Sequence, residues 1–176
     1  MKVNAIAALS PEGIIAADGV MPWYAPEDLK YFKSKTLNQN VLYGRKTFDS
    51  FHHSPLPRRR NFVLSSRLSP SSFSHPSLVF LSQLPSLSFL ESSFHLSSLW
   101  VIGGASIYSQ FWDSVSTFYI SIIPSSFIDY SKIESSNHLL YFPRWDELQS
   151  RSDFSLSSFS SPSSISYLTY EKLFLP

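Results

Sequence analysis

An acid, a run of arginines and two glycine-marked helix starts are the residues of this chain best placed to do chemistry. The acid is Asp28, in Pro26-Glu27-Asp28-Leu29-Lys30-Tyr31-Phe32. Proline suits a first helical position, and two acids in the first turn complement the positive end of the helix. The spacing predicts a helix to about Lys35, with Asp28, Leu29, Phe32 and Thr36 along one stripe. A carboxylate among apolar side chains is costly to ionise without a partner, so its pKa tends to rise. A flat heterocycle with adjacent N–H donors would be a good partner. The plainer role, a first-turn acid facing the helix dipole, stays open on spacing alone, as does a core role for Trp23 in Met21-Pro22-Trp23 just upstream.

The arginines are Arg58, Arg59 and Arg60, at the end of a proline-rich loop from Pro55. A functional one would clamp a ligand carboxylate through two parallel hydrogen bonds. Spacing does not choose among the three. His52 and His53 read as an exposed loop pair, because they lack the acidic or histidine companions of a metal site. The chain has no cysteine, which excludes disulfides and thiolate ligands. No metal is expected.

Two segments run strand, glycine, helix: Val41-Leu42-Tyr43-Gly44-Arg45-Lys46-Thr47, and Trp100 to Tyr108 through Gly103-Gly104. Amide N–H groups at a helix start attract anions, and glycine lets an anion approach the backbone. Either junction alone is how α/β proteins turn corners. Two in one domain could grip an extended polyphosphate, with Arg45, Lys46, Ser65, Ser66 and Arg67 supplying charge and hydroxyls for a further phosphate. Neither is a G-x-G-x-x-G fingerprint, so a standard Rossmann site is not indicated.

The elements that must hold these residues alternate. Strands are expected at Lys2–Leu9, Val41–Tyr43, Asn61–Ser65, Leu78–Leu81, Leu99–Ile102, Thr117–Ile123 and Ile165–Leu173. Helices are expected at Pro26–Lys35, Arg45–Ser50, Leu84–Phe94 and Ala105–Trp112, and Ile14–Pro22 reads as a loop turning at Gly19. This order indicates one α/β domain over 1–176. Its central sheet would be mostly parallel, of about eight strands with the C-terminal strand antiparallel, flanked by about four helices. Ligands of such sheets bind at the carboxyl ends of the strands.

Composition fits one packed core: 176 residues, 43% hydrophobic and 16% aromatic. A net charge of +1 gives no nucleic-acid footprint. No stretch approaches the ~20 apolar residues of a membrane span, and the apolar run Ala5–Leu9 is too short for a signal peptide, so a cytoplasmic protein is expected. Charged residues are only 15%, against roughly 25% in ordinary domains. Serine fills the gap from Ser65 to Ser98 and from Ser150 to Ser166. Leu and Phe recur too often there for disorder, so serine reads as a surface replacement for Lys and Glu.

In order and separation, the motifs resemble dihydrofolate reductase along nearly the whole chain. The markers are Ala5-Ile6-Ala7-Ala8-Leu9, Met21-Pro22-Trp23, Pro26-x-Asp28-Leu29-x-x-Phe32-Lys33, Gly44-Arg45-x-Thr47 and Pro55-Leu56-Pro57-x-Arg59-x-Asn61. Leu64-Ser65-Ser66, Ile102-Gly103-Gly104-x-x-Ile107-Tyr108 and Phe142-Pro143 follow.

The resemblance implies NADPH as cofactor and dihydrofolate as substrate, with antifolates such as methotrexate or trimethoprim as further ligands. A monomer, with no nucleic-acid or membrane partner, is the expected state. It implies that Asp28 binds the pterin 2-amino group and ring N–H and promotes protonation of N5. Trp23 would hold an ordered water beside it, Ser121 would bond the acid, and Tyr108 would join them at the reacting centre. Ile6, Ala7, Leu29, Phe32, Phe51, Leu56 and Ile102 would line the folate cleft, and Arg59 would bind the substrate's α-carboxylate. Ala8, Ile15, Met21, Arg45, Lys46, Thr47, Leu64, Ser65, Ser66, Arg67, Gly103, Gly104, Ala105, Ser106, Ile107 and Tyr108 would contact the cofactor. The Gly-Gly bond is typically cis in that family, and the loop through Met21 would close over the nicotinamide. The chain departs from the pattern at Ala16, Arg58 and Ala105, where glycine is usual. It has Asn137-His138-Leu139-Leu140 in place of a Gly-Asp-Thr segment, whose Asp helps hold the active-site loop closed in relatives.

Overall fold

A computed structural model describes residues 1–68, 73–160 and 163–173. Parts of both serine-spaced stretches, at 69–72 and 161–162, and the last three residues lie outside the described residues. The apolar run Lys2–Leu9 forms β1, central in an eight-stranded sheet. Its parallel neighbours are β6 (Ser98–Gly103) and β7 (Thr117–Ile122). Outward from β6 lie β3 (Asn40–Gly44), β4 (Arg60–Leu64) and β5 (Leu78–Leu81), all parallel. Beyond β7 the direction reverses: β10 (Ser166–Lys172) is antiparallel to β7, and β9 (Phe154–Ser160) is antiparallel to β10.

Both faces of the sheet are covered, as a central parallel strand requires. Val3, Ala5, Ala7 and Leu9 alternate onto one face, with Leu42, Phe62, Val101, Phe118 and Ile120. Ile6 points to the other face, with Val41, Tyr43, Phe48, Val63 and Trp100. Across these faces lie α1 (Pro26–Thr36), α2 (Arg45–Ser50), α3 (Leu87–Phe94) and α4 (Ala105–Phe111). The peptide Gly103–Gly104 at the end of β6 is cis. No helix among the described residues is long and apolar enough to cross a membrane.

Several elements differ from the sequence reading. The described residues hold six α-helices rather than about four, because α5 (Tyr130–Glu134) and α6 (Trp145–Ser150) are too short to show a helical period. The third helix begins at Leu87, capped by the Ser86 hydroxyl accepting from Phe89 N–H, rather than at Leu84. The supposed loop Ile14–Pro22 contains a strand, β2 (Ile14–Ala17), paired with β8 (Leu139–Tyr141) in a small separate sheet. Nothing local to Ile14–Ala17 signals a partner more than a hundred residues away. β9 was hidden by its composition, FSLSSFS, in which serine replaces the β-branched residues that mark strands.

Candidate active site

Asp28 sits in the first turn of α1, only 8% exposed. Pro26 starts the helix and Ala25 ahead of it is buried, which seats this end of the helix in the core. Burial pushes the Asp28 pKa up, and a hydrogen bond from the Ser121 hydroxyl partly offsets this. Ser121 is buried on β7, opposite Ala8 of β1 on one side and Tyr167 of β10 on the other. Strand register therefore delivers Ser121 to a helical acid far away in sequence. Trp23 packs nearby with Ala8, Tyr31 and Tyr167 around Ile123 and Ile128, and its backbone bridges Ile128.

An apolar cleft runs away from the acid. Ile6, Phe32, Phe51, Leu56 and Ile102 belong to one cluster, with Tyr43 and Phe51 edge to face at 5.5 Å. Ala7 differs from the expectation, since its side chain lies in the core cluster on the opposite face and only its backbone can border the cleft. Leu29 is 49% exposed at the rim, with Met21, Val20 and Tyr24 also exposed.

Of the three arginines, Arg58 and Arg60 are exposed and Arg59 is buried at 7%. Its Nε donates to Thr36 Oγ1 at 3.0 Å, an Nη donates to Pro57 O at 2.9 Å, and its guanidinium lies 5.7 Å from the Phe32 ring centre. No carboxylate pairs with it among the described residues, and burial lowers its pKa. A buried cation without an acid partner, opening on an apolar cleft, suits an anionic ligand. Asn61, which the sequence offers as a motif marker and a strand start but not as a site residue, holds this loop. Its amide accepts from Tyr43 hydroxyl and Leu56 N–H, each at 2.9 Å, and donates to Leu56 O and Arg59 O at 3.0 and 2.9 Å.

The two glycine junctions open side by side, because β3 and β6 are neighbours with Tyr43 opposite Gly103. Neither helix has a side-chain cap at Gly44 or Gly104, so first-turn N–H groups are left available. Both helices are short, so attraction for an anion comes from those N–H groups rather than from a long dipole. A Cβ on Gly44 would lie 3.0 Å from Ile107 Cγ1, so glycine permits the two helix starts to pack together. A Cβ on Gly104 would meet Thr47 Oγ1 only at 3.7 Å.

The expected polar contacts are not equally free. Arg45 pairs with Asp49 at 2.5 Å, and Asp49 also meets His53 at 3.0 Å. Ser65 is buried and its hydroxyl accepts from Arg67 and Leu68 N–H at 3.1 Å each, which makes it a turn former. Lys46, Ser66, Arg67 and Ser106 are exposed, and neither Lys46 nor Arg67 makes an ion pair among the described residues. Ile107 and Tyr108 are buried in the core, with Ile15 and Leu64 packed against it. The Tyr108 hydroxyl donates to Ile6 O at 2.7 Å and burial raises its pKa, so it braces β1 against α4. Thr47 and Ala105 are half-buried.

The loop after β2 is closed by Asp18-Gly19, both at positive φ (47° and 83°), between mutual hydrogen bonds of Ala17 and Val20. The loop is fastened to the segment that replaces Gly-Asp-Thr: Asp18 N–H donates to His138 O at 2.9 Å, and Asp18 Oδ2 accepts from Asn137 N–H at 3.2 Å. The carboxylate of this clasp is thus carried by the loop itself. No group of three or more potential metal ligands lies together among the described residues. Two surface depressions of about 400 and 430 Å3 lie elsewhere, beside Phe80–Phe89 and beside Met1 and Lys172, and neither Asp28 nor Arg59 lines them.

The chain matches the family model described as dihydrofolate reductase over residues 2–154. A dihydrofolate reductase of Buchnera aphidicola subsp. Schizaphis graminum is 31% identical over 145 residues, 82% of this chain and 81% of that protein. Another, of Mycobacterium leprae, is 43% identical over 108 residues, 60% of this chain and 62% of that protein. Among solved structures, a dihydrofolate reductase from Enterococcus faecalis complexed with NADP(H) and RAB-propyl superposes with a TM-score of 0.72. That superposition covers 97% of this chain and 96% of the other at 22% identity, a likeness of fold.

Proposed function

The chain belongs to the dihydrofolate reductase family, and from that premise we propose how its residues share the work of reducing dihydrofolate with NADPH. The reaction takes 7,8-dihydrofolate, NADPH and a proton to 5,6,7,8-tetrahydrofolate and NADP+. The reduced nicotinamide, when bound, supplies the hydride for pterin C6, and a proton goes to N5. Everything else is positioning and polarity, which the chain provides.

The observation that carries this reading is the pairing of a buried acid with a buried, acid-free arginine across one apolar cleft. Asp28 would hold the pterin through its 2-amino group and ring N–H, in the manner of a carboxylate facing two adjacent donors. Its raised pKa keeps a proton available near the ring nitrogen at higher pH than an ordinary aspartate would. Ser121 would fix the carboxyl's orientation, and Trp23 would shelter a water between acid and solvent. Ile6, Phe32, Phe51, Leu56 and Ile102 would enclose the flat rings, and Arg59 would take the α-carboxylate.

On the cofactor side, the uncapped starts of α2 and α4 fit a polyphosphate, and Lys46 and Arg67 have charge to spare for a further phosphate. Arg45 would contribute only by sharing itself with Asp49. Ala8, Gly103 and Gly104 would border the nicotinamide end, and the loop through Met21 would exclude water. Methotrexate or trimethoprim would compete with substrate at Asp28. Every residue in this account comes from one chain, so a monomer suffices.

The test is direct. Purified protein mixed with NADPH and dihydrofolate should consume the nicotinamide absorbance, with a dependence on both. Folded protein without turnover would overturn the reading. Turnover of a pyrimidine substrate instead would point to a reductase of riboflavin synthesis with the same fold.

A further inference from the structure

The phenol of Tyr167 is 2% exposed, and its hydroxyl has no hydrogen-bond partner among the described residues. Burying an unpaired hydroxyl is costly, so a tyrosine kept where phenylalanine would pack calls for an explanation. Among the described residues three other buried polar atoms lack a partner: Asn4 Oδ1 and Thr117 Oγ1, which face each other at the amino ends of β1 and β7, and Trp112 Nε1 beneath Arg144. Tyr167 alone borders the acid.

Its position is fixed from three sides. On β10 it lies directly opposite Ser121, the residue whose hydroxyl bonds Asp28. Its ring packs on Tyr31 at 4.2 Å between centroids, and Tyr31 is one turn beyond Asp28 on α1. Phe159 of β9 stacks on it at 4.8 Å and also meets Tyr31 edge to face at 6.1 Å. The ring therefore has little freedom, and the hydroxyl is within the electrostatic reach of the Asp28 and Glu27 carboxylates. Burial and those charges push the phenol up to about 12, so it stays a proton donor across the working range. Glu27 accepts from the Ser163 hydroxyl, so it already has a donor. The groups facing this corner are Glu27, Asp28 and Tyr31 of α1, Ser121 and Tyr119 of β7, and Tyr167 and Thr169 of β10.

We propose that Tyr167 is a positioning residue for Asp28, its hydroxyl donating through one buried water to the carboxyl and so setting the pH at which the site takes up its proton. A water bridging this corner would draw on the phenol, the carboxyl and the Ser121 hydroxyl, enough polar partners for a buried water. The donor favours the carboxylate and opposes the effect of burial. The proposal rests on the reading of Asp28 as the proton-holding acid.

The experiment follows hydride transfer in single turnovers with NADPH and dihydrofolate against pH, for the native chain and for Tyr167→Phe. Removing the donor disfavours the carboxylate, so the fall in rate should move to higher pH by roughly 0.5–1 unit, or about 3–10-fold in rate on the alkaline side. The acid plateau and NADPH affinity should stay as in the native chain. The 13C resonance of the Asp28 carboxyl should titrate with the same upward shift in protein without ligands. A site-specific 3-fluorotyrosine at 167, a stronger donor of nearly the same shape, should move both midpoints the opposite way, and it covers the case in which Tyr167→Phe does not fold. Superimposable profiles would overturn the proposal, whereas a native chain that does not reduce dihydrofolate would overturn the functional reading beneath it.

Discussion

Arg59 Nε donates to Thr36 Oγ1 at 3.0 Å, and the Thr36 hydroxyl donates in turn to Phe32 O at 2.7 Å. The arginine is thereby anchored to the last turn of α1, the helix that carries Asp28 in its first turn. One rigid helix sets the separation between the acid and the cation, which is what orienting a ligand held at both ends demands.

Arg59→Ala should therefore raise the KM for dihydrofolate by about 10–100-fold, the worth of a charge-assisted pair of hydrogen bonds. Thr36→Val should move KM in the same direction by roughly 3–10-fold, because it loosens the guanidinium without removing it. Steady-state kinetics measure both. An unchanged KM in Arg59→Ala would pass the role to Arg58 or Arg60.

Asp28→Asn should lower the rate of hydride transfer at neutral pH by about 100–10,000-fold, in line with loss of a positioned proton source. NADPH affinity, read from fluorescence titration, should barely change, because α2 and α4 are untouched. A near-native rate would remove Asp28 from the reaction.

The same substitution should stabilise the ligand-free protein. Burial raises the folded-state pKa of Asp28, so the native state binds more protons than the unfolded chain between the ordinary aspartate pKa and the raised one. Stability then falls as pH rises through that window, and the penalty is fully present above it. Asp28→Asn should melt higher than the native chain at neutral pH, with the difference shrinking in acid. Thermal melts across pH test this, and a difference constant with pH would contradict it.

Asp18→Asn replaces the loop carboxylate that accepts from Asn137 N–H by a neutral amide oxygen, a weaker acceptor, while leaving a residue that tolerates positive φ. Amide exchange at Ala17–Met21 should quicken by roughly 2–5-fold, with little change in global stability. Exchange as slow as in the native chain would mean that the carboxylate charge adds nothing to the clasp.

His95 ends α3 in the left-handed conformation at φ 55° and ψ 42°, exposed to solvent. His95→Gly should raise stability by about 0.5–1 kcal/mol, since glycine takes that conformation without the Cβ penalty. Denaturant unfolding should show a higher midpoint with an unchanged slope. A lower midpoint would mean that the added chain entropy outweighs the relieved strain.

The chain's local order announced most of the scaffold. Apolar runs bounded by glycine and proline marked β1, β3, β4, β6 and β7, and proline followed by two acids marked α1. These signals depend on neighbours within a few residues, and they also mark Asp28 and the two glycine junctions. Among Arg58, Arg59 and Arg60 the resemblance chose Arg59. Burial and the bond to Thr36 single out that arginine by a separate route, because only the folded loop turns one guanidinium inward.

What the sequence by itself determined was which residue types stood at which element ends: the acid on a helix face, glycine before each helix, arginines after prolines. Tertiary structure alone decided their partners. Ser121 reaches Asp28 from β7 and Tyr167 lies opposite Ser121 through the register of β7 and β10, and Asn137 reaches Asp18 through the pairing of β2 with β8. It also turned Ala7 away from the cleft and tied Arg45 to Asp49. Short-range propensity carries the first kind of information. The second arises only when distant strands align and one face of each is buried, because register then fixes which side chains share a side.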